Sequence, residues 1–280
     1  MVALITRTVE GAGSAFVLGA GTSLLTVVFP SSLTRIMALQ QIFIGVGYAI
    51  GPTIGAALYE IGGYRLPFIV VGIFDCSLIT LKWFAPRDTS LRVKAQSSPN
   101  WRSITSWDLL RIPRVNYAIL SYFGASAILC NIESNMTIKL REAFDFSQTQ
   151  IASSLLLLTG SYTLTLFLFL FLTFRLDKRY ILVLSNFGQT LSVLLIGPPP
   201  LFGIPDREWI VLLGVALLGI STPSVFAFAI EETVAPSIEI YLRDYDRNAN
   251  LASSLRNMMY GSGQCLGTMF GAILRKELGF

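Results

Sequence analysis

A few ionisable side chains lie inside apolar stretches of this sequence, where chemistry with protons or cations is possible. Arg7 and Glu10 are three residues apart, Asp75 and Lys82 are seven apart, and Glu133 stands by itself. An unpaired ion in hydrocarbon is costly, so such residues persist where they pair, extend to the surface or serve a function. A carboxylate in this setting can bind a proton or a cationic group. We therefore take Glu133, Arg7, Glu10 and Asp75 as the candidate proton- and cation-binding residues.

Each of these residues also has a structural interpretation. Arg7 and Glu10 can form an i,i+3 ion pair at a helix end, and Lys82 can extend along the helix to reach water. Glu133 can lie at the level of the lipid headgroups, since two basic residues follow it closely, Lys139 and Arg141. The functional interpretation of Glu133 rests on its polar neighbours, which are Asn131, Ser134 and Asn135. It also rests on an aromatic residue about three turns earlier on the same side of the helix, Tyr122.

A run of glycines at helical spacing occurs twice in the chain. Residues four apart lie near one face of a helix, so each run forms a stripe without side chains where a neighbouring helix can approach closely. A proline beside the first stripe removes a backbone donor and weakens that helix. Close packing with a weak point would let two bundles rock, so we assign a gating role to Gly47, Gly51, Pro52, Gly55, Gly263, Gly267 and Gly271. A chance likeness between glycine-rich helices is the alternative.

The composition shows which elements must position these residues. The 280 residues are 53% hydrophobic and 14% charged, and the mean hydropathy of +0.62 is too high for one soluble core. The apolar runs are continuous rather than alternating, which favours helices over a β-barrel. We predict an all-α membrane protein with about eight transmembrane helices, at 12–29, 36–59, 66–84, 115–137, 151–174, 180–198, 209–230 and 255–274.

Catalysis and cofactor binding are disfavoured by the residue types. The chain has no histidine, and its three cysteines, Cys76, Cys130 and Cys265, show no metal-ligand or redox spacing. We expect no enzyme activity, no metal and no cofactor.

The basic residues predict how the chain is oriented. If eight spans alternate in direction, thirteen Lys and Arg residues fall in one set of connections and six in the other. The set with thirteen should be cytoplasmic. This asymmetry also accounts for the net charge of +4, so no nucleic-acid partner is needed to explain it.

The glycine repeat sets the size of the repeating unit. Five spans separate the two glycine helices, so the unit is six helices and two units make twelve. We divide the chain into three helices of an N-terminal bundle at 1–85, a cytoplasmic linker at 86–114, and five helices of a C-terminal bundle at 115–280. On this count the sequence is a fragment that covers helices four to eleven of twelve.

These features resemble the major facilitator superfamily, whose members have two six-helix bundles. The segment from Gly47 to Ala56 resembles the fifth-helix motif of its proton-coupled antiporters, and the segment from Arg7 to Gly13 is similar to its fourth-helix signature. A degraded copy of the superfamily's cytoplasmic loop motif is formed by Arg175, Asp177, Lys178 and Arg179.

Two further segments resemble the vesicular amine and polyamine branch of solute carrier family 18. They are 47–68 and the sequence Pro236-Ser-Ile-Glu239 before the second glycine helix. The chain departs from that branch in two ways: the first three helices, which carry a substrate-facing acid there, are absent, and Thr268 replaces a proline.

The resemblance implies a secondary active transporter, with proton-coupled antiport of a small organic cation such as an amine or polyamine. A cation would be attracted to Glu133, and a proton bound to that acid would compete with it, which couples the two fluxes. The implied partners are the lipid bilayer of a vesicular or plasma membrane, a cationic substrate and protons. The alternatives are a truncated membrane protein that does not transport, a transporter of drugs or sugars, and an intramembrane enzyme.

The predicted orientation has a direct test at Ser97, in the linker. We expect a single cysteine at Ser97, in a protein without Cys76, Cys130 and Cys265, to resist an impermeant thiol reagent in right-side-out cells. A cysteine at Ser147, in a predicted outer connection, should label under the same conditions. Strong labelling at Ser97 would contradict the orientation.

Overall fold

The computed structural model describes residues 2–29, 32–84, 105–172, 177–197, 205, 207–241 and 245–278, and within these ranges the chain is helical without strands. Arg175 and residues 86–104 of the predicted linker lie outside the described residues, as do the side chains of Arg7, Pro52 and Lys82. The helices are α1 Val2–Val28, α2 Leu33–Gly62, α3 Arg65–Phe84, α4 Ser106–Leu110, α5 Pro113–Phe144, α6 Gln148–Leu172, α7 Lys178–Ile196, α8 Glu208–Tyr241 and α9 Tyr245–Leu278. The predicted all-α class is confirmed.

Local sequence explains where several helices begin and end. Pro113 starts α5, where its missing N–H removes no helical hydrogen bond. The residue after this helix is Asp145, whose φ is 52°. An aspartate tolerates this left-handed conformation. Gly63, with φ of 68°, ends α2, because a residue without Cβ adopts this conformation at no steric cost.

Each of the eight predicted spans corresponds to a long helix, and each helix begins before its predicted start. By length and composition alone, four are suited to cross a membrane in the described part of the chain: Pro113–Phe144, Gln150–Phe169, Lys178–Ile196 and Glu208–Pro236. The first helix begins at Val2 rather than near residue 12, and the last begins at Tyr245 rather than near residue 255. The earlier start of α9 places Arg256 about three turns inside the helix rather than in its first turn.

The chain forms two compact units, one of residues 1–43 with 104–280 and one of residues 44–103. In the first unit α8 is the central helix, with 72% of its apolar window buried. It packs against α5, α6 and α7, and Phe226 and Phe228 meet Leu166 of α6 and Leu182 of α7 in the core. The division predicted at 86–114 differs from these units and stays a prediction.

The second unit contains the later part of α2 and all of α3. Its described side chains are mostly exposed, including Ile61 at 79% and Phe74 at 61%. Exposed apolar side chains on long helices are what a lipid environment accommodates, since lipid tails are as apolar as leucine.

The second glycine stripe lies against α5. A Cβ atom built on Gly263 would come within 2.6 Å of the Phe123 carbonyl oxygen, and one on Gly267 within 2.7 Å of the Ala127 Cα atom. The contact continues to Gly271, where a Cβ would lie 2.8 Å from Asn131 Cγ. Residue numbers rise together on the two helices, so α5 and α9 run parallel. Backbone-to-backbone contact therefore sets the register of α9 on α5.

The first glycine stripe differs from the second. A Cβ atom at Gly47, Gly51 or Gly55 would meet no described atom within 4 Å. The gating role of both copies stays a prediction.

The contrast between the stripes gives a test of stability. Gly267→Ala should lower the free energy of unfolding by about 1–3 kcal/mol, because the new methyl group forces α9 away from Ala127. Gly51→Ala should be neutral or slightly stabilising, since alanine is the better helix former by about 1 kcal/mol. Thermal unfolding in detergent, followed by circular dichroism, measures both variants. Equal effects at the two positions would contradict the close contact of α5 with α9.

Candidate functional site

A buried carboxylate near the end of α8 holds the start of α5. Glu232 is 6% exposed, and its two oxygens accept hydrogen bonds from Arg114 Nε at 2.5 Å and Arg114 Nη2 at 3.0 Å. Arg179 Nε of α7 lies 3.9 Å from the same carboxylate. Next to it, Glu231 forms an ion pair with Lys178. We call Arg114, Lys178, Arg179, Glu231 and Glu232 the ion-pair cluster.

The ion-pair cluster changes the interpretation of the predicted loop motif. Asp177 caps α7 by accepting a hydrogen bond from the Arg179 N–H at 3.2 Å. Lys178 and Arg179 reach the acids of α8, so they contribute to the packing of helices rather than only to a loop. Arg114, which the sequence placed in the linker, lies in the first turn of α5.

Sequence reasoning missed both acids of the cluster. The predicted seventh span ended at residue 230, which left Glu231 and Glu232 unassigned at its end. Two adjacent acids after an apolar run, on a chain whose nearby connections are basic, were the signal that could have identified them.

Glu133 lies in the later half of α5 and is partly buried. Its polar neighbours bind elsewhere: Ser134 Oγ donates to the Cys130 carbonyl at 2.8 Å, and Asn131 Nδ2 donates to the Gly267 carbonyl at 3.1 Å. Lys139, one of the basic residues that follow, donates to the Ile196 carbonyl at 2.9 Å. Among the described residues, no hydrogen bond or ion pair to the Glu133 carboxylate is present.

Tyr122, predicted to share a cavity wall with Glu133, belongs instead to a buried aromatic group. Its ring centroid lies 4.9 Å from that of Phe226 on α8 and 5.8 Å from that of Tyr260 on α9. The Phe226 and Tyr260 rings are 5.7 Å apart. We call these three rings the aromatic triad. Aromatic faces are negative, so the triad is suited to hold a cation.

The cation found at the aromatic triad is Arg256. Its Cζ atom lies 5.1 Å from the centroid of the Tyr122 ring, and the residue is only 3% exposed. Sequence reasoning counted Arg256 among the basic residues at the cytoplasmic end of the last predicted span, and in the structure it lies about three turns inside α9, which begins at Tyr245.

Buried polar contacts also tie α2 and α6 into this region. Tyr162 Oη donates to Gln41 Oε1 at 2.9 Å, and both residues are 7% exposed. Gln41 interrupted the predicted second span, and this hydrogen bond accounts for a polar side chain at that depth.

Glu10 is exposed on α1, and Asp75 is exposed on α3 in the second unit. Arg7 belongs to α1, but its side chain lies outside the described residues. In the described part of the chain, no group of three metal-ligating side chains is close enough to hold a metal ion.

A groove of about 440 Å³ opens between α5, α7 and α9. Two of its polar side chains, Asn131 and Lys139, already donate to backbone carbonyls. Glu133 does not line it. The groove therefore offers mainly an apolar surface, formed by Ile132, Met136, Val193, Ile196, Leu266 and Phe270.

The ion-pair cluster gives a prediction for stability. Arg114→Gln should destabilise the protein by about 3 kcal/mol or more, because the buried Glu232 carboxylate then lacks its main partner. Arg141→Gln, at an exposed arginine of the same helix, is the matched control and should have little effect. Thermal unfolding of the purified protein measures the difference.

Exchanging the two charges distinguishes the loss of this ion pair from the loss of a large side chain at Arg114. The double variant Arg114→Glu with Glu232→Arg should recover part of the stability lost by either single change. Additive losses in the double variant would contradict the pairing.

Comparisons with known proteins agree with this architecture. A model of the Major Facilitator Superfamily matches residues 2–268. The mouse MFS-type transporter SLC18B1 is 24% identical over 278 residues, which cover 99% of this chain and 59% of that protein. The human protein of the same name is 23% identical over 281 residues, with the same coverage of both chains. The chain thus spans 59% of the length of these relatives.

A third relative matches a shorter part. The mouse vesicular acetylcholine transporter is 34% identical over 94 residues, which cover 32% of this chain and 18% of that protein. These relatives agree with the solute carrier family 18 branch that the motifs indicated. Because the superfamily model covers nearly the whole sequence, the chain, a multi-pass integral membrane protein, belongs to the Major Facilitator Superfamily.

Proposed function

We propose that this chain is part of a secondary active transporter that exchanges protons for a small organic substrate carrying a cationic amine. The membership in the superfamily and the similarity to SLC18B1 support the transporter class. One relative is named as a transporter of acetylcholine, a quaternary amine. We extend a cationic substrate group to this chain as part of the proposal.

The observation that carries the coupling is the position of Glu133. It is a partly buried carboxylate in a helix suited to span the membrane, and it lacks a basic partner among the described residues. An acid at such a position can hold either a proton or a cation, and it cannot hold both. Binding of a proton therefore releases the cation, and binding of the cation releases the proton, which is the exchange that antiport requires.

The ion-pair cluster would hold one end of α5, α7 and α8 together. It joins α5, α7 and α8 through side chains. Since α5 carries Glu133, a change in the packing of α5 would move Glu133 and the ion-pair cluster together. In alternating access, a rigid set of helices rocks around a fixed site, and the cluster keeps these three helices in one set.

The test of the proposed function is proton-driven uptake. In proteoliposomes with an imposed pH gradient, a version of this chain completed to twelve helices should take up an amine such as spermidine or acetylcholine in a saturable way. Glu133→Gln keeps the shape of the side chain but cannot bind a proton, so gradient-driven uptake should fall to the background of empty liposomes. The variant should remain folded, which thermal unfolding checks.

The matched control is Glu208→Gln, at an exposed acid at the start of α8. This variant should keep the parental rate of uptake. Proton-driven uptake by Glu133→Gln at the parental rate would exclude Glu133 as the coupling residue. Saturable uptake that ignores the pH gradient in the parental protein would exclude proton antiport.

A further inference from the structure

A buried hydrogen bond joins a side chain of α2 to a side chain of α6. Tyr162 Oη donates to Gln41 Oε1 at 2.9 Å, and both residues are 7% exposed. Ala38 and Ile42 share a face of α2 with Gln41, because they lie three residues before it and one residue after it. They belong to one core cluster with Tyr162 and Leu166 of α6. The hydrogen bond therefore lies within an apolar contact between the two helices.

The depths of the two residues agree with the predicted orientation of the helices. Gln41 is eight residues after Leu33, the start of α2, and Tyr162 is ten residues before Leu172, the end of α6. At 1.5 Å per residue, these separations are about 12 Å and about 15 Å. The predicted orientation places both helix ends at the cytoplasmic surface. The hydrogen bond then lies in the cytoplasmic half of a hydrocarbon core about 30 Å thick.

The contact that α2 makes here is short. Residues 33–43 belong to the first compact unit, and the later residues of α2 belong to the second. Tyr48, seven residues after Gln41 and on the same face of the helix, is 50% exposed. The face that carries Gln41 is thus covered over about three turns. Few side chains have to leave such a contact for it to open.

The two helices belong to different halves of the predicted duplication. The helix α2 carries the first glycine stripe, and α6 follows the predicted linker. In alternating access one half rocks against the other, so contacts between the halves at one end separate each time the path opens there. Contacts inside one half are kept, as for Val215 of α8 and Leu158 of α6 in a second core cluster. The hydrogen bond of Gln41 with Tyr162 is a contact between halves.

We infer that the hydrogen bond between Gln41 and Tyr162 stabilises the state in which the transport path is closed on the cytoplasmic side. A side-chain hydrogen bond inside a membrane protein shifts an equilibrium by about threefold on average. A bond of this strength favours the closed state and still allows the path to open in each cycle. The inference rests on the proposed function for the transport cycle, and it is independent of which substrate is carried.

The residue next to Gln41 provides a matched control. Gln40 Oε1 is buried and has no hydrogen-bond partner among the described residues. Gln40→Leu therefore removes a buried oxygen that makes no such bond, whereas Gln41→Leu takes away the acceptor of the Tyr162 hydroxyl. Tyr162→Phe removes the same hydrogen bond from the other side and keeps the aromatic ring in the core.

The test measures how often the contact opens, from the reactivity of a cysteine placed inside it. Ile42 is 5% exposed, so Ile42→Cys gives a thiol that a reagent reaches when α2 leaves α6. The background is the version completed to twelve helices, without Cys76, Cys130 and Cys265. A membrane-impermeant maleimide is added to inside-out vesicles, whose cytoplasmic surface faces the reagent, without substrate or pH gradient. Val215→Cys, at a residue that is 0% exposed, reports general unfolding.

Gln41→Leu and Tyr162→Phe should each raise the labelling rate of Ile42→Cys about threefold, because each removes the same hydrogen bond. The double variant should raise the rate no further than either single change. Gln40→Leu should leave the rate unchanged. None of these changes should alter the labelling rate of Val215→Cys.

Unchanged labelling of Ile42→Cys in both Gln41→Leu and Tyr162→Phe would overturn the inference, as would multiplied effects in the double variant. A parallel rise for Val215→Cys would show that the bond supports the whole bundle, and would also overturn it. A rise seen only in right-side-out vesicles would place the contact at the opposite surface, against the inference.

Uptake is measured separately in the same variants. If labelling depends on the hydrogen bond while amine uptake is absent, the proposed antiport fails and the inference stands. If uptake is driven by protons while labelling is independent of the hydrogen bond, the inference fails and the proposed antiport stands.

Discussion

The free-energy cost of an unneutralised charge inside a helical bundle is the constraint on which this structure depends. The protein meets the cost at Glu232, where two nitrogen atoms of Arg114 approach a buried carboxylate and Arg179 lies nearby. At Arg256 two guanidinium nitrogen atoms have no hydrogen-bond partner among the described residues. Breaking a buried ion pair costs more than forming it gains, so the contact at Glu232 fixes the packing of these helices.

The glycine stripe of α9 connects packing to the candidate site. Arg256, Tyr260, Gly263, Gly267 and Gly271 follow one another at spacings of four, three, four and four, so they share a face of the helix. The contact that brings Gly267 onto Ala127 therefore also brings Tyr260 and Arg256 onto Tyr122. A shift of α9 along α5 would move the guanidinium and the aromatic triad together.

Particular residues show what sequence patterns could and could not predict. The apolar runs identified every long helix, and glycine spacing identified the face of α9 that packs closely, because both depend on periodicity within one helix. The partners of Arg114 and Lys178 were not predictable in the same way, since Glu231 and Glu232 lie more than fifty residues from Lys178 and more than one hundred from Arg114. Arg256 was missed because helix ends are the least certain part of a pattern.

The sequence by itself determined the helical membrane class, the order of the helices and the duplicated glycine pattern, because hydrophobicity and spacing act locally along the chain. Tertiary structure alone decided which glycine stripe is packed, which acids are neutralised and which cation lies on the aromatic triad. These properties depend on side chains from different helices meeting in a low-dielectric interior, where a difference of a few ångströms changes a charge from paired to unpaired. Two similar glycine motifs can therefore have different neighbours, and two arginines of one unit can have different partners.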